Sequence, residues 1–486
     1  MSCVAVHPIT PTSDADVLKR WRRWLENAPA VTTSGGGGGG RVLLISYIFP
    51  PTGGSGAQRP AKLAKYLPQC GWTVEVLCAG HDRFPWHDAT LMADVPAGCR
   101  VHRIAGYEPA CIARRLTGPF RALSRRRPRP ADQSRQSAGE DFGWLEDRIY
   151  WRLAKRTARR GLGNGESLWI NPAIRAALRL HRRNPFHTVV SSGPPVFVHR
   201  VAMGIARETG LPWLADVRDP FVSDHARRPE DNPDLEEMAA LERNVLQNAT
   251  GVITTCRSLA ADLGRRYPEA AVRAIINGFD RDDILKAEGA VAAVSHEPET
   301  CTLAATGSFY GQRELSRLVR VLERLLDQHP EWQGRVRLVV AGTLDARQQS
   351  LWETDRPEWL RLAGYLDHRA TINLIRSSAC SVLVAPDCNH TRLCLPGKMF
   401  ELMALPTHIL ALVPRGSETE QLLLKAGACT TAPYEDEERS TTALEQVIGD
   451  HFEGRLTRRR DWPVLEPFDR RAIAAAWADC LNAVRP

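Results

Sequence analysis

Two successive series of short apolar runs, each run followed by helical spacing, constrain this chain more than any other feature. The first series holds RVLLIS (Arg41 to Ser46), TVEVLC (Thr73 to Cys78), TVVSS (Thr188 to Ser192), PWLAD (Pro212 to Asp216), GVITT (Gly251 to Thr255) and RAII (Arg273 to Ile276). The second holds CTLAAT, RLVVAG, CSVLVAP, HILALV and CTTAP, between Cys301 and Pro433. Segments such as ELSRLVRVLERLLDQ and HRATINLIRSS, with apolar residues at helical intervals, separate them. Strands alternating with helices predict parallel sheets covered on both faces. Two such arrays in 486 residues predict an α/β chain of two Rossmann-like domains.

The expected organisation follows from where the pattern starts, stops and restarts. Residues 1–40 read as a flexible extension: WRRWLEN suggests a short helix, and Gly35 to Gly40 is an unbroken glycine run that behaves as a tether. The first domain is expected over 41–284 and ends on INGFDRDD, with an Asn-Gly turn signal. An Ala-rich linker is expected over 285–299, a second domain over 300–465, and a helical segment over 466–486 that crosses back to the first domain. Average apolar and charged content argues against disorder. No stretch reaches the ~18 apolar residues of a membrane span, and the first residues lack the basic start and apolar run of a secretory signal. The cysteines form no C-x-x-C pair, and Cys380, Cys388 and Cys394 match no common zinc spacing. Reduced thiols and a cytoplasmic location are the expectation.

Several loops carry residues suited to ligand chemistry. Gly53, Gly54, Ser55 and Gly56 follow the first strand, where backbone N–H groups approach an anionic or sugar ligand; a plain tight turn explains the glycines as well. The spacing is not G-x-G-x-x-G, so no dinucleotide cofactor is expected. DVRDP (Asp216 to Pro220) ends a predicted strand, on the side where open α/β sheets bind ligands. Asp216, Arg218 and Asp219 either meet sugar hydroxyls and act as acid and base, or form an internal ion-pair network. In GSFYGQR, Gly307 and Gly311 are expected to open a loop that brings Arg313 to a diphosphate. In LPGKMFELMA, Gly397, Lys398 and Glu401 lie at a loop-to-helix start. There Lys398 either neutralises phosphate while Glu401 accepts ribose hydroxyls, or the two form a solvated pair.

His199 and His225 lie in or near segments leading to the expected cleft, and a lone histidine is more often structural than functional. Asp280-Arg281-Asp282 has the form of a metal-binding D-x-D, but its place after an Asn-Gly turn favours a helix cap, and no metal is expected. The acidic run EDEER (Glu435 to Arg439) reads as a solvated face.

Taken together, ISYIFPPTGGSGAQRPAKLAKYL, SSGPPVFVHRVA, PWLADVRDPF, LERNVLQNATGVITTCRSLAADLGRRYP, IINGFD, TGSFYGQR, VRLVVAG and PGKMFELMA resemble, in order and spacing, the group 1 or family four glycosyltransferases of GT-B fold. The resemblance runs from about Arg41 to the C-terminus and omits the basic middle. It implies two Rossmann-like domains facing across a cleft, and transfer of a sugar from a nucleotide diphosphate sugar to an acceptor hydroxyl with retention. No bound metal is implied. Arg313 and Lys398 would hold the diphosphate, Glu401 the ribose, and Gly53 to Gly56 the donor phosphates or acceptor, while Asp216, Arg218 and Asp219 would line the acceptor side. His199 is a candidate for the family's N-domain histidine. Three positions depart from the pattern: Leu393 replaces the first Glu of E-x7-E, and Thr407-His408 replaces a basic-Pro pair. Two other readings share the architecture, a nucleotide-sugar 2-epimerase and a non-catalytic scaffold.

Charge bears on partners. The net charge is +8, yet Cys111 to Arg160 alone holds fourteen Arg and Lys against five Asp and Glu. Within this insertion Ile112, Leu116, Phe120 and Leu123 recur at near-helical spacing among Arg114, Arg115, Arg121 and Arg125 to Arg127. Such a stretch docks on anionic lipid or stays solvated, and Gly118-Pro119 is expected to break its helix. A peripheral membrane position suits a lipid-linked or polysaccharide acceptor. Aromatics are not interleaved as stacking platforms, so nucleic acid is not expected.

Overall fold

The structure, a computed structural model, describes residues 14–27, 39–80, 87–124, 144–158, 166–222, 235–288, 299–354 and 356–485. The first domain is built on strands β1 (Arg41–Ile45), β2 (Thr73–Ala79), β3 (Arg100–Ile104), β4 (Thr188–Gly193), β5 (Trp213–Val217), β6 (Gly251–Thr254) and β7 (Val272–Ala274). All pair in parallel, in the order β3-β2-β1-β4-β5-β6-β7. The second carries β8 (Cys301–Phe309), β9 (Val336–Leu344), β10 (Leu360–Gly364), β11 (Cys380–Val384), β12 (His408–Leu412) and β13 (Cys429–Ala432), also parallel, in the order β10-β9-β8-β11-β12-β13.

Helix α1 (Asp14–Glu26) contacts both domains, while α2 (Ser55–Tyr66), α3 (Pro109–Ser124), α4 (Trp144–Ala158), α5 (Ile170–Arg183), α6 (Val198–Thr209), α7 (Leu235–Asn248), α8 (Arg257–Arg266) and α9 (Arg281–Glu288) accompany the first sheet. Helices α10 (Ser316–Gln328), α11 (Ala346–Thr354), α12 (His368–Ser377), α13 (Asn389–Arg392), α14 (Gly397–Ala404), α15 (Glu418–Ala426) and α16 (Glu437–Phe452) accompany the second. Then α17 (Trp462–Leu465) packs on α14 and α15, and α18 (Arg470–Val484) returns to the first domain, where Ile473, Trp477 and Leu481 pack with Val42, Leu44 and Trp72. Phe279 bridges Asp469 at the crossing.

Buried apolar residues cover both faces of each sheet, as continuous apolar strands require. One cluster does not stop at a domain boundary. It runs from Leu43 and Trp213 in the first domain through Phe279, Ile284, Trp21, Leu25, Trp462 and Phe468 to Met399 and Ala411 in the second.

Several expectations need correction. The segment at 1–40 does not act as a loose extension over α1, because Val17, Trp21 and Leu25 lie on one face and are buried. The glycine run ends in packed backbone: a Cβ on Gly39 would lie 1.2 Å from the Gly71 carbonyl oxygen. Gly35 to Gly38 lie outside the described residues, as do His225 and Arg125 to Arg127. Helix α9 runs through the first residues of the expected linker, 285–288. Helix α3 continues across Gly118-Pro119. Gly307 does not open a loop but sits inside β8 at φ 127°, and the backbone of Gly342 on β9 packs against it so closely that a Cβ there would lie 1.7 Å from its carbonyl oxygen.

Candidate active-site cleft

The C-terminal ends of the strands carry the loops that meet between the domains, the usual ligand side of such sheets. On the first-domain side the chain leaves β1, crosses Gly53 and enters α2 with Gly54 at φ 86°, a left-handed conformation that glycine adopts without strain. Three carbonyls of neighbouring loops then converge on Arg218. Its Nε donates to Gly193 at 2.8 Å, Nη1 to Gly56 at 2.8 Å and Nη2 to Pro194 at 2.6 Å. Asp216, fully buried, accepts both a fork of bonds from Arg59 on α2, at 2.9 to 3.1 Å, and a 2.7 Å bond from Ser192.

Asp216 and Arg218 are therefore consumed in stitching the β1, β4 and β5 loops together. Of the two readings of DVRDP, the geometry of these two residues is the internal network. Asp219 differs: it is half-buried, and the Cys394 thiol of the second domain donates to it at 3.3 Å. His199, at the start of α6, is buried against Phe221, with Nδ1 2.8 Å from Ser191 Oγ. Burial pushes its pKa down to about 3, against a smaller opposing pull from Asp216, so the ring is neutral. Its Nε2 lies beneath Gly193, where a Cβ would approach to 2.8 Å.

On the second-domain side, α14 begins at an exposed Gly397 whose missing side chain faces open space. Its N-cap is Pro396, which offers no side-chain acceptor. Lys398 follows, one quarter exposed, and its Nζ lies 3.2 Å from Glu401 Oε2. Glu401 Oε1 accepts from His368 Nε2 at 2.6 Å, and His368 Nδ1 lies 3.6 Å from Asp283 on α9 of the first domain. Burial pushes the Glu401 pKa up, but Lys398 and His368 outweigh it and hold the carboxyl well below its usual range. Burial likewise opposes charge on His368, and Glu401 overrides it, so its pKa is raised. The Lys398–Glu401 pair is thus partly buried and tied into a third group, unlike the solvated pair that spacing alone allows.

Arg313, in the loop between β8 and α10, has a buried Nε without a hydrogen-bond partner among the described residues. Its positive charge is felt at the Cys394 thiol of the same domain. Gly311 stands in the same loop at φ 60°, its N–H donating to Asp345 at 3.2 Å. Leu393, where the resembling family has a glutamate, offers its carbonyl to the Cys256 thiol of the first domain at 3.0 Å. Thr407 and His408 are buried at the start of β12; His408 meets the Thr457 carbonyl and Thr430.

Sequence reasoning missed His368, Cys394, Arg59 and Glu418. Glu418 opens α15 and reaches across the seam to accept from the N–H groups of Arg257 and Ser258, at 3.1 and 2.9 Å, so one domain caps a helix of the other. Asp367 preceding His368 was a legible helix cap, and its side chain accepts from Ala370 N at 2.7 Å. The D-x-D segment also behaves as a cap: Asp282 N–H donates to Asp280 at 3.0 Å at the start of α9. Asp94, Asp280 and Asp283 cluster, and Lys62 Nζ fills their centre at 2.5, 2.7 and 2.6 Å.

With this geometry in hand, the likeness to known proteins is informative. Residues 54–278 match the model of the glycosyl transferase 4-like domain. Among solved structures, sucrose-phosphate synthase from Thermosynechococcus elongatus superposes with a TM-score of 0.60 at 14% identity, covering 91% of this chain and 98% of its own. The α,α-trehalose 6-phosphate synthase of Burkholderia multivorans gives 0.57 at 13%, with 92% and 99% covered. HepE of Anabaena, solved in complex with UDP and glucose, gives 0.54 at 12%, with 91% and 100% covered. No curated protein matches the sequence. The fold is GT-B, and the domain match together with these neighbours supports a glycosyltransferase of that type.

Proposed function

We propose that the chain moves a sugar from a nucleotide diphosphate sugar to an acceptor hydroxyl, with retention of configuration, in the cleft between its domains. The observation that carries this reading is the buried Nε of Arg313, which has no hydrogen-bond partner among the described residues and lies in the loop that follows β8. A guanidinium donor buried without a partner is costly, and a diphosphate satisfies it. The uncapped, open start of α14 and the Lys398 ammonium add a second anion-binding element in the same domain. Together they stabilise the negative charge that develops on the diphosphate as it leaves. Glu401, held by His368 and Lys398, is the acceptor for ribose hydroxyls, and Asp219, half-buried where Asp216 is fully buried, is the acid of DVRDP assigned to the reacting sugar. Gly53 to Gly56 form the wall against which donor phosphates or acceptor rest, a wall that Arg218 and Asp216 keep in place. His199 lies as a neutral ring beneath Gly193, whose carbonyl Arg218 holds.

The UDP bound by HepE makes a uridine diphosphate sugar the first donor to test. Nucleotide binding to the native state raises the melting temperature by mass action. Among a panel of nucleoside diphosphates and their sugars, one is expected to stabilise the wild type by several degrees, with the shift largely lost in Lys398→Ala and Arg313→Ala. A panel without any shift refutes the transferase reading and leaves the scaffold.

The acceptor we propose is a lipid-linked or polysaccharide hydroxyl met at an anionic membrane surface. Its support is the pair α3 and α4, which pack side by side and expose Leu116 and Trp151 among Arg114, Arg115, Arg148, Arg152, Lys155 and Arg156. No helix among the described residues is long and apolar enough to cross a membrane. Each cation near an anionic surface contributes about 1 kcal/mol. Replacing Arg114, Arg115, Arg152 and Arg156 by Ser is therefore expected to abolish cosedimentation with phosphatidylserine vesicles while nucleotide-induced stabilisation persists. Undiminished cosedimentation rules the docking role out.

A further inference from the structure

The N-terminal helix α1 precedes the matched domain, yet it lies under the donor-side helices of the second domain. Trp21 is buried, and its indole N–H donates to the carbonyl of Ala404 at 2.8 Å. Ala404 is the last residue of α14, the helix whose first turns carry Lys398 and Glu401. Arg376, in the last turn of α12, stands over the same Trp21 ring at 5.2 Å. The first residue of α12 is His368, which bonds Glu401. Both helices that set the Glu401 carboxylate therefore end on Trp21.

One turn further along α1, Trp24 faces the first domain and the crossover. It stacks on Trp462 at 4.9 Å and meets Phe279 at 5.5 Å, and its indole donates to Glu466 at 2.6 Å. Arg281 of α9, with its side chain wholly buried, lies 4.1 Å over the Trp24 ring and donates to the Trp24 carbonyl at 2.7 Å. It also donates to Glu466 and forms an ion pair with Asp469, both of the crossover.

We infer that Trp21 and Trp24 are positioning residues for donor binding: α1 is a clip that fixes the ends of α12 and α14 against α9, and so sets Glu401 and Lys398 relative to the first-domain wall of the cleft. This rests on the reading above that α14 holds the donor. The physical basis is leverage. Eight helical residues span about 12 Å as a stiff rod, so a shift at Ala404 displaces Lys398 by a comparable amount. The two indole N–H groups go to different bodies, one to a carbonyl of α14 and one to a carboxylate of the crossover, so α1 is bonded to both.

The test uses the full chain with Trp21→Phe, which keeps a ring and removes the bond to Ala404, and Trp24→Ala. Leu18→Ala, on the exposed face of α1, is the control. Two readouts are taken: calorimetric affinity for UDP, and amide hydrogen exchange of residues 399–404 without nucleotide. Both variants are expected to weaken UDP binding about three- to thirty-fold, the range of mutations along a coupling network, and to speed exchange at 399–404, with the control unchanged. A lower melting temperature with wild-type UDP affinity and wild-type exchange at 399–404 overturns the inference and leaves α1 a cover. If the wild type binds no UDP, the nucleoside diphosphate that the panel identifies takes its place, and if the wild type binds none of the panel, the proposed function has failed. The exchange readout then decides alone, faster exchange supporting the clip and unchanged exchange refuting it.

Discussion

Arg59→Ala is expected to lower the stability of the protein by about 3–5 kcal/mol, the cost of stranding one half of a buried ion pair. The Arg59 side chain is 1% exposed and that of Asp216 wholly buried. Beyond its fork on Asp216, the guanidinium donates to the Ile275 carbonyl at 3.0 Å and to Asn277 Oδ1 at 3.2 Å, and it lies 5.6 Å over the Trp477 ring of the crossover helix. Removing it leaves the Asp216 carboxylate with Ser192 as its hydrogen-bond donor, in an interior that solvates charge poorly. The loss reaches the cleft, because β5, α2 and the INGFD segment are joined at this one side chain. Urea denaturation followed by tryptophan fluorescence measures it. The pair Arg59→Met with Asp216→Leu separates stranded charge from lost packing: it is expected to recover much of the deficit, because neither partner is left uncompensated. A cost below 1 kcal/mol for Arg59→Ala would mean that the wall of the cleft is held by other contacts.

That network also shows what the sequence makes legible. The alternation of apolar runs with helical segments predicts the two parallel sheets because central strands, buried on both faces, must be continuously apolar. Strands β3 and β10 escape the same reasoning for the converse reason. They are edge strands, and RVHRI and LRLAG are half-exposed, so nothing forces an apolar run there. The DVRDP segment is visible as an unusual concentration of charge, but whether its charges face a ligand or the interior depends on Arg59, 157 residues away. Helix α1 is legible as a helix from its spacing, yet its partners Ala404, Trp462 and Glu466 lie more than 380 residues downstream. Local pattern predicts elements, whereas placement of polar side chains at the site is set by long-range contacts that no local pattern records.

His368 shows the consequence of such a contact for pH dependence. Its ring lies between Glu401 at 2.6 Å and Asp283 at 3.6 Å, one carboxylate from each domain, with Lys398 beyond Glu401 and Lys62 beyond Asp283. The charge of Arg470 is also felt at both carboxylates. Glu401 is the stronger partner, since burial and the negative charge of Asp280 push the Asp283 pKa up. A histidine whose pKa rises on folding stabilises the native state fully below its unfolded value, about 6.5, and this contribution is lost as pH climbs through the folded value. Glu401, whose pKa falls on folding, contributes above its unfolded value of about 4.3 and loses that contribution only in stronger acid. The joint stabilisation is therefore complete between about pH 5 and 6.5 and declines on the alkaline side. His368→Ala is expected to cost about 3 kcal/mol or more near pH 6, because it leaves a buried carboxylate with one hydrogen-bonded cation in place of two. The difference from wild type should shrink steadily towards pH 9. Melting temperatures of both proteins across that range decide the matter. A difference that is flat or grows with pH would show that His368 is neutral in the folded protein, and that Lys398 alone keeps Glu401 charged for the donor.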